Sequence, residues 1–176
     1  MIKLPSLKLL FESFVKTFLR FPIAIIYSLV AAVFACLLID LNYQQKQELE
    51  SLFTKIIMAS SMGVFSSIAL SLFNERLKKG TTGYIVTSAL KLLFPLLYFF
   101  LLPQELNIRT GVRFGMLMLA LHMLVAFAPY AKYGTINGFW QYNKTLFIHF
   151  LTSILYTSVL YLGISASIGT TSLLFD

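Results

Sequence analysis

Few side chains in this sequence could do chemistry, and three of them lie inside long apolar runs: Lys91, His122 and His149. An ammonium in hydrocarbon costs about 2.5–3.5 kcal/mol on insertion scales, so a charged Lys91 needs a partner, a wet cavity or a lipid phosphate reached by snorkelling. Pro95 follows four residues later and has no N–H to give the Lys91 carbonyl, which predicts a kink and a free backbone acceptor at the same residue. Lys91 lies seven residues from Tyr84, and His122 lies seven from Pro129 on the next, antiparallel run. At the helical rise both sit about 10 Å deep in the same half of a bilayer, with His149 slightly shallower and Ser66 and Ser67 at a similar level. Two readings fit. In one, Lys91, His122, His149, Ser66 and Ser67 line a pocket for an anion, an anionic lipid headgroup or a proton. In the other, the lysine snorkels and the histidines are neutral, bonded to neighbouring hydroxyls as glue between helices.

No phosphate-binding glycine loop, zinc spacing, nucleophile elbow or carboxylate pair occurs in the chain. The acidic residues all fall in loops or at the ends of apolar runs, so no carboxylate partner for Lys91 is expected inside a run. No catalytic residue, metal site or cofactor is therefore assigned, and a membrane enzyme is the weakest of the function classes. The single cysteine, Cys36, cannot form an internal disulfide and reads as a small packing residue.

These residues must be positioned by helices that cross a membrane. The chain has 176 residues, of which 58% are hydrophobic and only 12% charged, and its mean hydropathy is +0.81. A soluble core does not need so much apolar surface. The net charge of +7 comes from lysines and arginines at the ends of apolar runs, without the basic stripe and stacking aromatics of a nucleic-acid binder. The fold class is all-α integral membrane, with five transmembrane helices at about 21–41, 52–73, 84–102, 111–128 and 146–170. Residues 1–20 form an amphipathic interfacial helix before them, with Leu4, Leu7, Phe11, Phe14, Val15 and Phe18 on one face and Lys8, Glu12 and Lys16 elsewhere. A plain extension of the first span is the alternative, although Pro22 favours a break near Arg20. A signal peptide is excluded because the first run is too long and no small-residue cleavage site follows it.

On the second span Ala59, Gly63, Ser67 and Ser71 recur four apart, a ridge on which another helix can approach closely, from this chain or another. Ala24, Ser28, Ala32 and Cys36 make a weaker version on the first span. The segment Asn137-Gly138-Phe139-Trp140-Gln141-Tyr142-Asn143-Lys144-Thr145-Leu146-Phe147 precedes the fifth span. Trp140, Tyr142 and Lys144 suit an interface anchor at headgroup level. The alternative is a short interfacial or re-entrant helix whose Asn137, Gln141 and Asn143 contact a ligand. This segment, with Leu155-Tyr156 and Leu160-Tyr161-Leu162-Gly163 after it, resembles the matching stretch of bacterial multi-pass membrane proteins grouped as domain of unknown function 4153. The Arg20-Phe21-Pro22 start is similar to theirs as well. The resemblance implies a helical inner-membrane protein and supplies no activity. In that family more spans follow the comparable stretch, whereas this chain stops at Asp176. It is thus expected to be a piece of a longer protein or a short member that completes its bundle with another chain.

The function expected first is a membrane scaffold or assembly subunit, and the runner-up is a transport or sensing module built on the Lys91 pocket. The partners expected are the lipid bilayer, an anion or anionic lipid, and another membrane chain or a second copy, with no nucleic acid. Orientation follows from the basic residues. Lys3, Lys8, Lys16, Arg20, Arg76, Lys78, Lys79, Lys132 and Lys144 fall on one side, nine against the four of Lys46, Lys55, Arg109 and Arg113. The positive-inside rule then puts the N-terminus in the cytoplasm and Asp176 outside. Reporter fusions at the N-terminus and within loop 76–79 are expected to report the cytoplasm, and a fusion after Asp176 the outside. A cytoplasmic C-terminus contradicts five spans.

Overall fold

The computed structural model describes residues 7–41, 43–77, 80–131 and 136–175, and every regular element among them is helical. In chain order these are α1 (Leu7–Arg20), α2 (Pro22–Asp40), α3 (Tyr43–Leu77), α4 (Thr81–Leu101), α5 (Ile108–Phe127), a 3-10 turn (Ala128–Tyr130) and α6 (Ile136–Phe175). Five of them are long and apolar enough to cross a membrane: Pro22–Asp40, Leu49–Leu77, Gly83–Leu101, Ile108–Tyr130 and Ile136–Leu174. Leu4 of the expected amphipathic face, and Lys3, Lys78, Lys79, Lys132 and Asp176 of the topology argument, lie outside the described residues.

The helix starts that differ most from expectation are those of α3 and α6. The polar stretch before the second span does not form a loop: α3 begins at Tyr43, because its Gln, Lys and Glu residues are strong helix formers. Likewise α6 begins at Ile136, not near residue 146, and passes through Trp140 unbroken. The segment around Trp140 is thus the first turns of one long helix, with no separate re-entrant element. Trp140 and Lys144 are exposed there, and Asn143 donates its side-chain amide to the Phe139 carbonyl at 2.9 Å.

The break between α1 and α2 has a local cause. Phe21 caps α2 at φ −129°, ψ 52°, and Pro22 takes the first helical position, where its missing N–H costs nothing. The Phe21 N–H still bonds the Thr17 carbonyl at 3.0 Å, so the chain turns within one residue. Described side chains of α1 from Phe11 to Arg20 are all exposed, including Phe11, Phe14, Phe18 and Leu19.

The chain divides into two units, Met1–Lys132 and Tyr133–Asp176. In the first, α2, α4 and α5 all pack on α3. Its interior is small and partly polar. Met62 and Ala69 of α3 are fully buried, and Ala69 and Leu72 meet Val125 of α5 and Ala128 of the 3-10 turn after it. The outward surface carries the large apolar side chains, such as Leu92, Leu93, Leu96 and Leu97 on α4 and Leu119 and Met123 on α5. Such an inverted distribution suits a protein with lipid around it. In the second unit α6 is exposed from Lys144 to Leu174, and its Thr145, Thr152, Thr170 and Thr171 hydroxyls each donate to the carbonyl one turn back. Those four hydroxyls are thereby satisfied within their own helix.

The small-residue ridge of α3 is a contact inside the chain. A Cβ added at Gly63 would fall 2.7 Å from ring carbons of Tyr27, so only glycine lets that α2 ring lie flat against α3. The Tyr27 hydroxyl donates to the Lys91 carbonyl of α4 at 3.1 Å. This is the acceptor that Pro95 leaves open, and α4 runs through Pro95 without a break. Gly63→Leu is expected to lower thermal stability by overpacking, by about 1–3 kcal/mol. The loss should shrink when Tyr27→Ala is added. Equal stability of Gly63→Leu and the parent chain would contradict the contact.

Candidate functional site

A cavity of about 170 Å³ opens where the start of α2, the end of α3 and the first half of α4 meet. Its walls come from Arg20, Phe21 and Ala24, from Ser67, Ser71, Asn74 and Glu75 of α3, and from Tyr84, Ser88 and Lys91 of α4. Helical spacing explains the α3 wall, since Ser67, Ser71, Asn74 and Glu75 recur at three and four residues and so share a face. Tyr84, Ser88 and Lys91 repeat the pattern on α4.

Arg20 and Glu75 form a two-point ion pair at the rim. The guanidinium Nε donates to Oε1 at 3.0 Å and Nη2 to Oε2 at 2.7 Å. The guanidinium carbon also sits 5.0 Å from the centre of the Phe21 ring. Both charged side chains are about half exposed, at 54% and 47%, so the pair adds no more than about 1 kcal/mol of stability and matters more for where it holds the α1–α2 corner.

Deeper in, Lys91 is only 8% exposed and Ser67 1%. Among the described residues the Lys91 amine makes no ion pair or hydrogen bond, although its own carbonyl is taken by Tyr27. The serine hydrogens are committed elsewhere: Ser67 donates to the Val64 carbonyl at 2.9 Å and Ser71 to the Ser67 carbonyl at 2.8 Å. Their oxygens can therefore accept but not donate toward the cavity. The buried Oδ1 of Asn74 has no hydrogen-bond partner. An orphan acceptor of this kind costs about 1–3 kcal/mol unless a bound group supplies a donor. The site thus combines a buried cation, a paired cation and anion at the rim, and several acceptors seeking hydrogen.

Of the five residues grouped by depth, Lys91 and Ser67 meet at this cavity. Ser66 is buried on another side of α3 and donates to the Gly63 carbonyl at 3.3 Å. His122 is not a wall residue: its Nδ1 bonds the Met118 carbonyl at 2.8 Å, and its ring stacks on Phe65 with centroids 4.0 Å apart. Equal depth says nothing about which face of a helix a residue occupies, and the α5 face bearing His122 packs on a different side of α3. His149 lies in the second unit and is exposed on α6.

Arg20, Asn74, Ser88 and the carboxylate of Glu75 were not anticipated as site residues. The sequence places Glu75 in a loop, whereas α3 continues to Leu77 and carries its carboxylate to the rim. The available signal was charge: Arg20 and Glu75 are opposite charges at run ends assigned to the same side of the membrane. No family model, curated protein or solved structure matches this chain, so the resemblance noted above gains no support from comparison.

Proposed function

We propose that this chain is a multi-pass protein of a bacterial inner membrane whose first unit binds a small anionic group at Lys91, as a sensing or transport module. The N-terminus and the cavity mouth face the cytoplasm, and α1 lies along that membrane surface. The observation that carries the reading is the position of Lys91, buried in the wall of a polar cavity instead of stretched along the lipid-facing surface. A snorkelling lysine would need no such space. The amphipathic order of α1 and its exposed aromatic residues support an interfacial position.

The assembly reading loses its first motive, because the α3 ridge is used inside the chain by Tyr27. What favours it now is α6, where Gly163 and Gly169 have no atom within contact distance of an added Cβ and the surface from 144 to 174 is exposed. Surrounding lipid accounts for the same exposure.

A hydrated cavity open to the cytoplasm makes a direct prediction. In a Cys36→Ser background, Ser71→Cys should react with a membrane-impermeant thiol reagent added to inverted vesicles. Leu97→Cys, on the exposed surface of α4, should stay unlabelled. Equal protection of the two positions from the cytoplasmic side overturns the reading.

A further inference from the structure

Resting on the anion-binding reading, we propose that the cavity takes the headgroup of a phospholipid that carries one phosphodiester charge and a hydroxyl donor, as a glycerol headgroup does. Charge sets the first condition. The walls hold two cations, Arg20 and Lys91, and one anion, Glu75, leaving one positive charge in excess. A group of charge −1 brings the site to neutrality, which matters where the surrounding medium is apolar. A zwitterionic headgroup leaves the excess in place, and a dianionic phosphate reverses it.

Donors set the second condition. With the Ser67 and Ser71 hydrogens spent on their own helix, Lys91 is the charged donor that the walls offer to a phosphate, beside the neutral Ser88 and Tyr84 hydroxyls and the Asn74 amide N–H groups. The unpaired Oδ1 of Asn74 asks for the reverse, a donor arriving with the ligand. A headgroup hydroxyl supplies it. The lining of the cavity suits a lipid: Leu19, Pro22 and Ile23 add apolar wall beside Arg20, Leu19 is largely exposed, and Lys91 is buried. A cavity of about 170 Å³ has room for a small headgroup.

The test uses the full chain in nanodiscs of phosphatidylcholine, with thermal protection measured as one lipid is titrated in. Phosphatidylglycerol should protect saturably, phosphatidylethanolamine should not, and phosphatidylmethanol, of the same charge but without a hydroxyl, should bind several-fold more weakly. Lys91→Met should weaken phosphatidylglycerol about tenfold or more, as expected for the loss of one charge-assisted hydrogen bond. Asn74→Leu should remove the preference over phosphatidylmethanol. The ranking of lipids by the unmodified chain stands even if a variant fails to fold. Soluble glycerophosphate or inorganic phosphate protecting at concentrations where phosphatidylglycerol does nothing overturns the lipid assignment and leaves anion binding intact. Equal protection by phosphatidylglycerol and phosphatidylethanolamine overturns the charge argument, and equal protection by phosphatidylglycerol and phosphatidylmethanol overturns the donor argument. Labelling of Ser71→Cys without any of these ligands binding overturns both assignments while the cavity remains.

Discussion

A backbone carbonyl inside hydrocarbon must find a donor within the protein, and Pro95 denies the Lys91 carbonyl its usual one. The remedy involves three helices. Tyr27 of α2 supplies the hydroxyl, Gly63 of α3 gives the ring a flat place to lie, and α4 presents the acceptor. The Tyr27 side chain thus ties α2 to α4 where both pack on α3. Lys91 also lines the cavity that opens at the start of α2. The same residue is thus tied at its carbonyl and available at its amine.

Most polar side chains within the apolar helices require no such arrangement. Ser61 bonds the Ile57 carbonyl, Thr87 bonds the Gly83 and Tyr84 carbonyls, and Ser66 bonds that of Gly63, each within its own helix. A hydroxyl satisfied by its own helix places no demand on a neighbour. Residues that do look beyond their own helix include Tyr27, the Arg20 and Glu75 pair, and Ser51, which donates to the Gln104 carbonyl; among the described residues the Lys91 amine and the Asn74 oxygen have no hydrogen-bond partner. Arg20, Glu75, Lys91 and Asn74 all line the cavity, whereas Lys55, as buried as Lys91 but on α3, lies outside it.

Much of the helical frame was legible beforehand because hydropathy and proline report directly on apolar length and helix breaks. The division at Phe21 and the five apolar helices follow from those signals. The free acceptor at Lys91 was legible too, since it depends only on the spacing to Pro95. The ridge through Gly63 could be read as a close helix contact, but its partner, Tyr27, could not, because helix spacing does not say which neighbour arrives. Depth brought Lys91 and His122 to one level and failed to separate their faces, so Phe65, and not the cavity, receives the histidine ring. Glu75 was hidden by a boundary: α3 runs on to Leu77 and carries a residue taken for loop back to the rim.

The most direct test of the central interaction is a double-mutant cycle in a lipid environment, combining Tyr27→Phe with Pro95→Ala and reading unfolding free energy. Alanine at 95 restores an N–H to the Lys91 carbonyl, so the hydroxyl of Tyr27 no longer has an orphan to serve. Tyr27→Phe should destabilise the parent chain by about 0.5–1.5 kcal/mol and be nearly neutral once Pro95→Ala is present. The same cost for Tyr27→Phe in both backgrounds would show that the hydroxyl does not answer the proline, and would contradict the account.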